Sequence, residues 1–113
     1  LGNKKQLFEI LLDPSSNDAE KDDAVIELGD NYDDEETIDF LIEVSNLYSN
    51  NDMIAASCGE SIGLVYVRTQ KIDYEKICKL KGTALSEALS LIKKHRIDWY
   101  ESYLCLNSQK KTN

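Results

Sequence analysis

The stretch from Asn51 to Thr69, NDMIAASCGESIGLVYVRT, limits what this chain can become more than any other. Ile54, Ala55, Cys58, Ile62, Val65 and Tyr66 recur at the spacing of one helical face, while Met53, Ala56, Leu64 and Val67 clothe the other side. A helix that is apolar nearly all round belongs in the middle of a bundle. Small residues at Ala55, Ala56, Ser57, Cys58, Gly59, Ser61 and Gly63 allow close neighbours, although each glycine costs about 1 kcal/mol of helix propensity. That cost implies contact on several sides. Glu60, the one charge between Asp52 and Arg68, lies opposite the Cys58 and Ile62 face. It reads either as the solvent strip of a central helix or as an acid shown to a basic partner.

The segments around this helix are helical too. Lys4 to Leu12 forms a short helix stopped by Asp13-Pro14, because proline disfavours helix at the residue before it. A second runs from Asp18 to about Gly29, with Asn17 and Glu20 spaced as a capping pair. Asp33 with Glu36 is spaced to cap a third, from about Asp34 to Leu47, and acids in its first turn suit the helix dipole. Beyond the central helix, Asp73 to Leu80 and Thr83 to Lys94 are separated by Gly82, and a last helix covers Ile97 to Leu106 before a frayed tail at 107–113. The alternation and Asn-Gly turns of a sheet are missing. Trp99 is expected in the core.

At 113 residues, 42% hydrophobic and 30% charged, the chain fits one soluble domain. No apolar run approaches the roughly 20 residues of a membrane span, and Leu1 to Gln6 lacks a signal-peptide core, so a cytoplasmic location is expected. Cys58, Cys78 and Cys105 lie within apolar helical patterns and show no zinc spacing; all three are expected as buried thiols. Charge is strongly divided. Residues 1–64 hold 16 Asp/Glu against 3 Lys/Arg, and residues 65–113 hold 5 against 10. Such an acidic half repels phosphate and anionic lipid and attracts a basic protein surface.

The helices also repeat. Leu28-Gly29 falls on Ile62-Gly63 at a period of 34 residues, which pairs Asp18 with Asp52, Ala24 with Cys58 and Val25 with Gly59. Asp34, Ile38 and Leu41 then fall against Asp73, Ile77 and Leu80, while Ala84, Ala88 and Ile92 answer Ile54, Cys58 and Ile62. From about Asp18 to Lys94 this pattern resembles HEAT-like repeats of the lyase type. Departures lie at Glu20-Lys21 and Ala55, where the repeats carry an apolar-Arg pair and its Arg, and at Lys93, where they carry Gly. The resemblance implies an all-α fold: one compact right-handed stack of antiparallel helix pairs, six to seven helices and about two and a half repeats, spanning 1–113.

Chemistry is thin. His95 is the single histidine and follows Lys93-Lys94 at a helix end, where a cation suits the dipole. Ser57 and Ser61 have no local base, no phosphate-binding glycine loop occurs, and the loop at Asp30, Tyr32 and Asp34 lacks the glycine and distal Glu of a calcium hand. No enzyme, cofactor or metal is therefore expected. A small, acidic helical stack of this type resembles the immunity proteins of bacterial contact-dependent toxin systems, some of which use HEAT-like scaffolds. That resemblance implies a monomer that neutralises a basic toxin domain such as a nuclease, with a small HEAT-like adaptor or assembly chaperone as the alternative. The candidate partner-binding residues are Asp23, Asp30, Tyr32, Asp33, Asp34, Glu60, Tyr66 and Tyr100, aromatic anchors inside an acidic rim.

Overall fold

A computed structural model describes residues 3–111, and side chains as far as residue 108. Its first five helices begin where a short polar side chain accepts a backbone N–H, whereas the sixth starts after Lys81 without such a cap. Asn3 and Gln6 form a reciprocal capping box before α1 (Lys4–Leu12), and Asn17 and Glu20 form the expected one before α2 (Asp18–Asn31). In front of α3 (Glu35–Leu47) the expected Asp33–Glu36 pair does not form. Asp34 has the extended backbone of a cap, and it accepts from the Thr37 amide at 3.2 Å and the Thr37 hydroxyl at 2.8 Å. Asn51 caps α4 (Asp52–Thr69), and Gln70 closes it in a left-handed conformation, φ 57°. The fifth helix is a single turn, α5 (Tyr74–Ile77), shorter than the sequence pattern predicts. α6 (Gly82–His95) follows, and α7 (Ile97–Lys111) continues past its expected end at Leu106. Residues 112–113, the remainder of the expected frayed tail, lie outside the described residues, as do 1–2.

The helices form two rows. α2, α4 and α6 lie side by side, with α4 in contact with both neighbours and with α3. α1, α3 and α5 make the second row. The Phe8 and Phe40 rings stack at 3.8 Å and the Tyr48 hydroxyl donates to the Leu11 carbonyl at 2.6 Å, joining α1 to α3; Lys76 joins α5 to α3 through Asp39 at 2.9 Å. α7 closes the α6 end with Trp99 and Tyr103 buried. The chain measures 44 × 27 × 21 Å. The longest axis exceeds α4, whose 18 residues span about 27 Å, so it comes from helices set side by side. Among the described residues there is no strand, and no helix is long and apolar enough to cross a membrane.

Burial follows the repeat pattern. Ala24, Cys58 and Ala88 are buried at matching positions of the first row, as are Leu28, Ile62 and Ile92; Ile38, Leu41, Ile77 and Leu80 fill the space beneath them. Only one cysteine obeys the sequence expectation. Cys58 is buried, and desolvation with the nearby Asp22 charge pushes its thiol up to about 12; Cys78, just past the end of α5, and Cys105, on the terminal α7, are exposed.

Small residues set the spacing in the first row. Gly29 lies against Ser61, whose hydroxyl donates to the Val25 carbonyl, and the Ser57 hydroxyl meets the Asp22 carboxylate. On the other flank a Cβ at Gly59 would run into the Ala84 carbonyl of α6, whereas a Cβ at Gly63 meets Ala88 and Leu91 at an ordinary 3.4 Å. The two glycines of one helix therefore differ in kind. Gly59→Ala is expected to cost about 1–3 kcal/mol through forced separation of α4 and α6, while Gly63→Ala is neutral or gains up to about 1 kcal/mol of helix propensity. Urea unfolding of both variants checks this, and equal effects would contradict it.

Candidate functional site

The eight residues singled out from sequence do not form one site. Asp23 and Asp30 are exposed on α2, and Glu60 is exposed on α4 on the side turned away from Cys58 and Ile62. Helical periodicity puts all three on the outer surface of the α2–α4 row, away from α3. Tyr32, Asp33 and Asp34 lie at the α2–α3 junction, Tyr32 half-buried and Asp33 exposed. Tyr100 sits at the far end of the stack, half-buried beneath the Lys93 ammonium at 5.2 Å, in basic rather than acidic surroundings. Trp99 is buried next to it under Arg96, as expected of a core residue. Tyr66 is no rim anchor: it is only 6% exposed.

Asp34 is committed to the fold. Burial works against its ionisation, but hydrogen bonds from the Lys4 ammonium at 2.9 Å and from Thr37 outweigh that and hold the carboxyl at about 2, below its ordinary 3.8. Lys4 also reaches Glu36 at 2.7 Å, which ties α1 to the start of α3.

A coherent acidic surface does exist, on α3. The helix turns Ile38, Leu41, Ile42 and Val44 inward and leaves Glu35, Glu36, Asp39 and Glu43 exposed. Positions 35, 39 and 43 recur every four residues and make a row along one face. Like charges at that spacing destabilise a helix by about 0.2–0.5 kcal/mol per pair, and Lys76 relieves only Asp39. Glu35 gains from the helix dipole in the first turn and Asp39 from Lys76, but neither gain accounts for three acids falling on one face.

Both flanks of the row are concave. Towards α1, a shallow groove is edged by Glu35, Glu36, Asp39 and Glu43 and floored by the stacked Phe8 and Phe40 rings. Towards α4 and α5, a cleft of about 350 Å³ has Ile38, Val65 and Ile72 as apolar walls and Asp33, Glu35 and Asp73 as acids. Tyr66 lines this cleft, and its hydroxyl has no hydrogen-bond partner. Burial pushes the phenol well above its usual 10.0, and the charges of Asp73, Asp39 and Glu35 push it further, so it stays protonated at neutral pH. Lys76, paired with Asp39, and the exposed Lys71 complete the charged lining. Among the described residues no three His, Cys, Asp or Glu side chains gather as a metal ion would require.

Sequence reasoning missed Phe8, Phe40, Glu35, Asp39, Glu43 and Asp73. The four-residue spacing of the α3 acids was a readable signal, hidden because acids in a first turn already have a reason to be there. The Phe8–Phe40 contact joins distant segments, and no local pattern announces it. No protein-family model, curated protein or solved structure matches this chain.

The depressed carboxyl at Asp34 gives a stability that is fully present above pH 3.8 and is lost as pH falls towards about 2. Asp34→Ala is expected to lower stability by about 1 kcal/mol at pH 7, the worth of a helix cap. The gap to the unmodified chain should narrow through that acid window in urea titrations at successive pH values; a constant gap would mean that the charge is idle.

Proposed function

We propose that this chain is a binding protein without catalytic activity, and that it holds a basic protein partner against α3. The supporting observation is the exposed Glu35–Asp39–Glu43 row, three like charges on one helix face, bordered by a groove with a two-ring aromatic floor. Charge brings a partner in quickly and orients it, whereas desolvated aromatic contact supplies the slow dissociation that a row of acids cannot. Phe8 and Phe40 are half-buried, which gives an incoming apolar or cationic side chain rings to cover.

In its particular form the proposal is an immunity protein of the HEAT-like type, acting in the cytoplasm as a monomer on a basic toxin domain. A straight line of carboxylates offers a nuclease site the negative charge it would otherwise meet in a nucleic-acid strand. Asp34, held as a carboxylate, and Tyr66, held as a phenol, keep their protonation fixed at neutral pH, which suits contact with a partner better than proton transfer.

The test is co-purification from the native host, followed by association kinetics with the recovered protein. The partner is expected to be basic, with an association rate that falls steeply as salt rises. Paired reversal Glu35→Lys with Glu43→Lys should slow association roughly tenfold or more, while reversal at Asp23 and Glu60 on the opposite surface changes it little. Equal sensitivity of the two surfaces, or none to salt, would refute the α3 assignment.

A further inference from the structure

We propose that the cleft between α3, α4 and α5 is a receptor for a guanidinium group, entered by one arginine side chain of the bound protein, with the Tyr66 hydroxyl as its innermost contact. This rests on the reading above that the partner is a basic protein, and adds to it the residue type that is gripped and the place.

Tyr66 is the starting point. It is more than nine-tenths buried, it lines the cleft, and its hydroxyl is the one buried side-chain polar atom without a hydrogen-bond partner among the described residues. A buried hydroxyl left in that state burdens the fold, which is why such groups are rare unless a ligand completes them. Phenylalanine would fill the same space without that burden.

The surrounding charge selects the ligand. Glu35 and Asp73 stand close enough to Tyr66 to perturb its phenol, and Asp33 edges the same cleft. Asp73 uses Oδ1 to accept from the Lys76 amide at 3.1 Å, which leaves a second carboxylate oxygen. Asp33 and Glu35 have no ion-pair partner among the described residues. Against these acids stand Lys71 and Lys76, the latter bound to Asp39 and also drawn to Glu35 and Asp73, so the lining with Asp39 keeps an excess of negative charge. An anion is therefore disfavoured, and the acids are not gathered as a metal needs.

Shape narrows the choice further. Ile38, Val65 and Ile72 give apolar walls for a methylene stem, and about 350 Å³ is room for one long side chain. Acceptors set around the cleft, Glu35 on α3 and Asp73 before α5, suit a planar fork with five N–H donors better than a compact ammonium. In the bound arrangement the phenol oxygen accepts one guanidinium N–H, and the carboxylates take the others and balance its charge.

A titration of the full ¹⁵N-labelled chain with N-acetyl-arginine amide, followed by amide chemical shifts, tests this. Saturable shifts are expected at Glu35 and between Val65 and Asp73, with N-acetyl-lysine amide weaker and neutral N-acetyl-norleucine amide without effect. Tyr66→Phe should keep the spectrum of the fold, melt no lower, and bind the arginine probe roughly tenfold more weakly, the worth of one hydrogen bond to a charged group. Glu35→Gln, at an exposed position, should weaken it similarly and serves if the core variant fails to fold. The proposal is overturned by shifts that do not saturate or map elsewhere, by equal binding of the lysine or norleucine probe, or by unchanged affinity in a folded variant. The two readings fail separately. Partner binding that is lost on reversal at Glu43 yet unchanged in Tyr66→Phe leaves the α3 surface standing and removes the arginine receptor. Arginine-amide binding at the cleft, with no basic protein whose capture needs Glu43, does the reverse.

Discussion

Gly59 brings the backbone of α4 against the Ala84 carbonyl of α6, and the first row of helices closes only because no side chain stands between them. The same economy holds on the other flank, where Gly29 meets Ser61. With α2 and α6 drawn in, the remaining face of α4 is left to α3, and the large side chains Leu28, Leu41, Ile54, Ile62 and Ile92 fill the interior. The position of α3, and with it the acid row, is thus a consequence of backbone contact on the far side of the central helix.

The acids divide into those that build and those that remain unspent. Asp34, Asp73 and the Asn17–Glu20 pair satisfy helix starts, and Asp22 is occupied by Ser57. Glu35 caps nothing, Asp39 is held only by Lys76 and Glu43 by no cation among the described residues, and the three stand between two hollows of different character, one floored by rings and one lined by Tyr66 with its unpartnered hydroxyl. Nine of the thirteen Lys and Arg residues fall from Lys71 onward, on α5, α6 and α7 and the segments that lead into them, so the imbalance along the sequence becomes an imbalance from one end of the stack to the other. Tyr100, an anchor candidate by residue type, is carried to the basic end and loses its case.

Helices and core were legible because periodicity is local. The apolar spacing from Asn51 to Thr69 identified the central element, and the burial of Ala24, Cys58 and Ala88 matches the aligned positions of the repeat. The site was less legible because it depends on which elements become neighbours. Asp33 and Asp34 are adjacent in sequence, but only Asp34 takes the backbone of a cap and is claimed by Lys4 from α1. Tyr66 occupies the same apolar face whether its hydroxyl meets a partner or not, and only the assembled rows show that it does not. The exposure of Cys78 follows likewise from α5 being a single turn where the pattern predicted a longer helix.

The place of Cys58 has a practical outcome. Its thiol is fully buried on the central helix near Asp22 of α2, and with its acidity suppressed it offers an alkylating reagent neither access nor a thiolate. Modification at this one sulfur therefore counts the occasions on which the middle of the molecule comes apart, and the chain carries its own clock for whole-body opening.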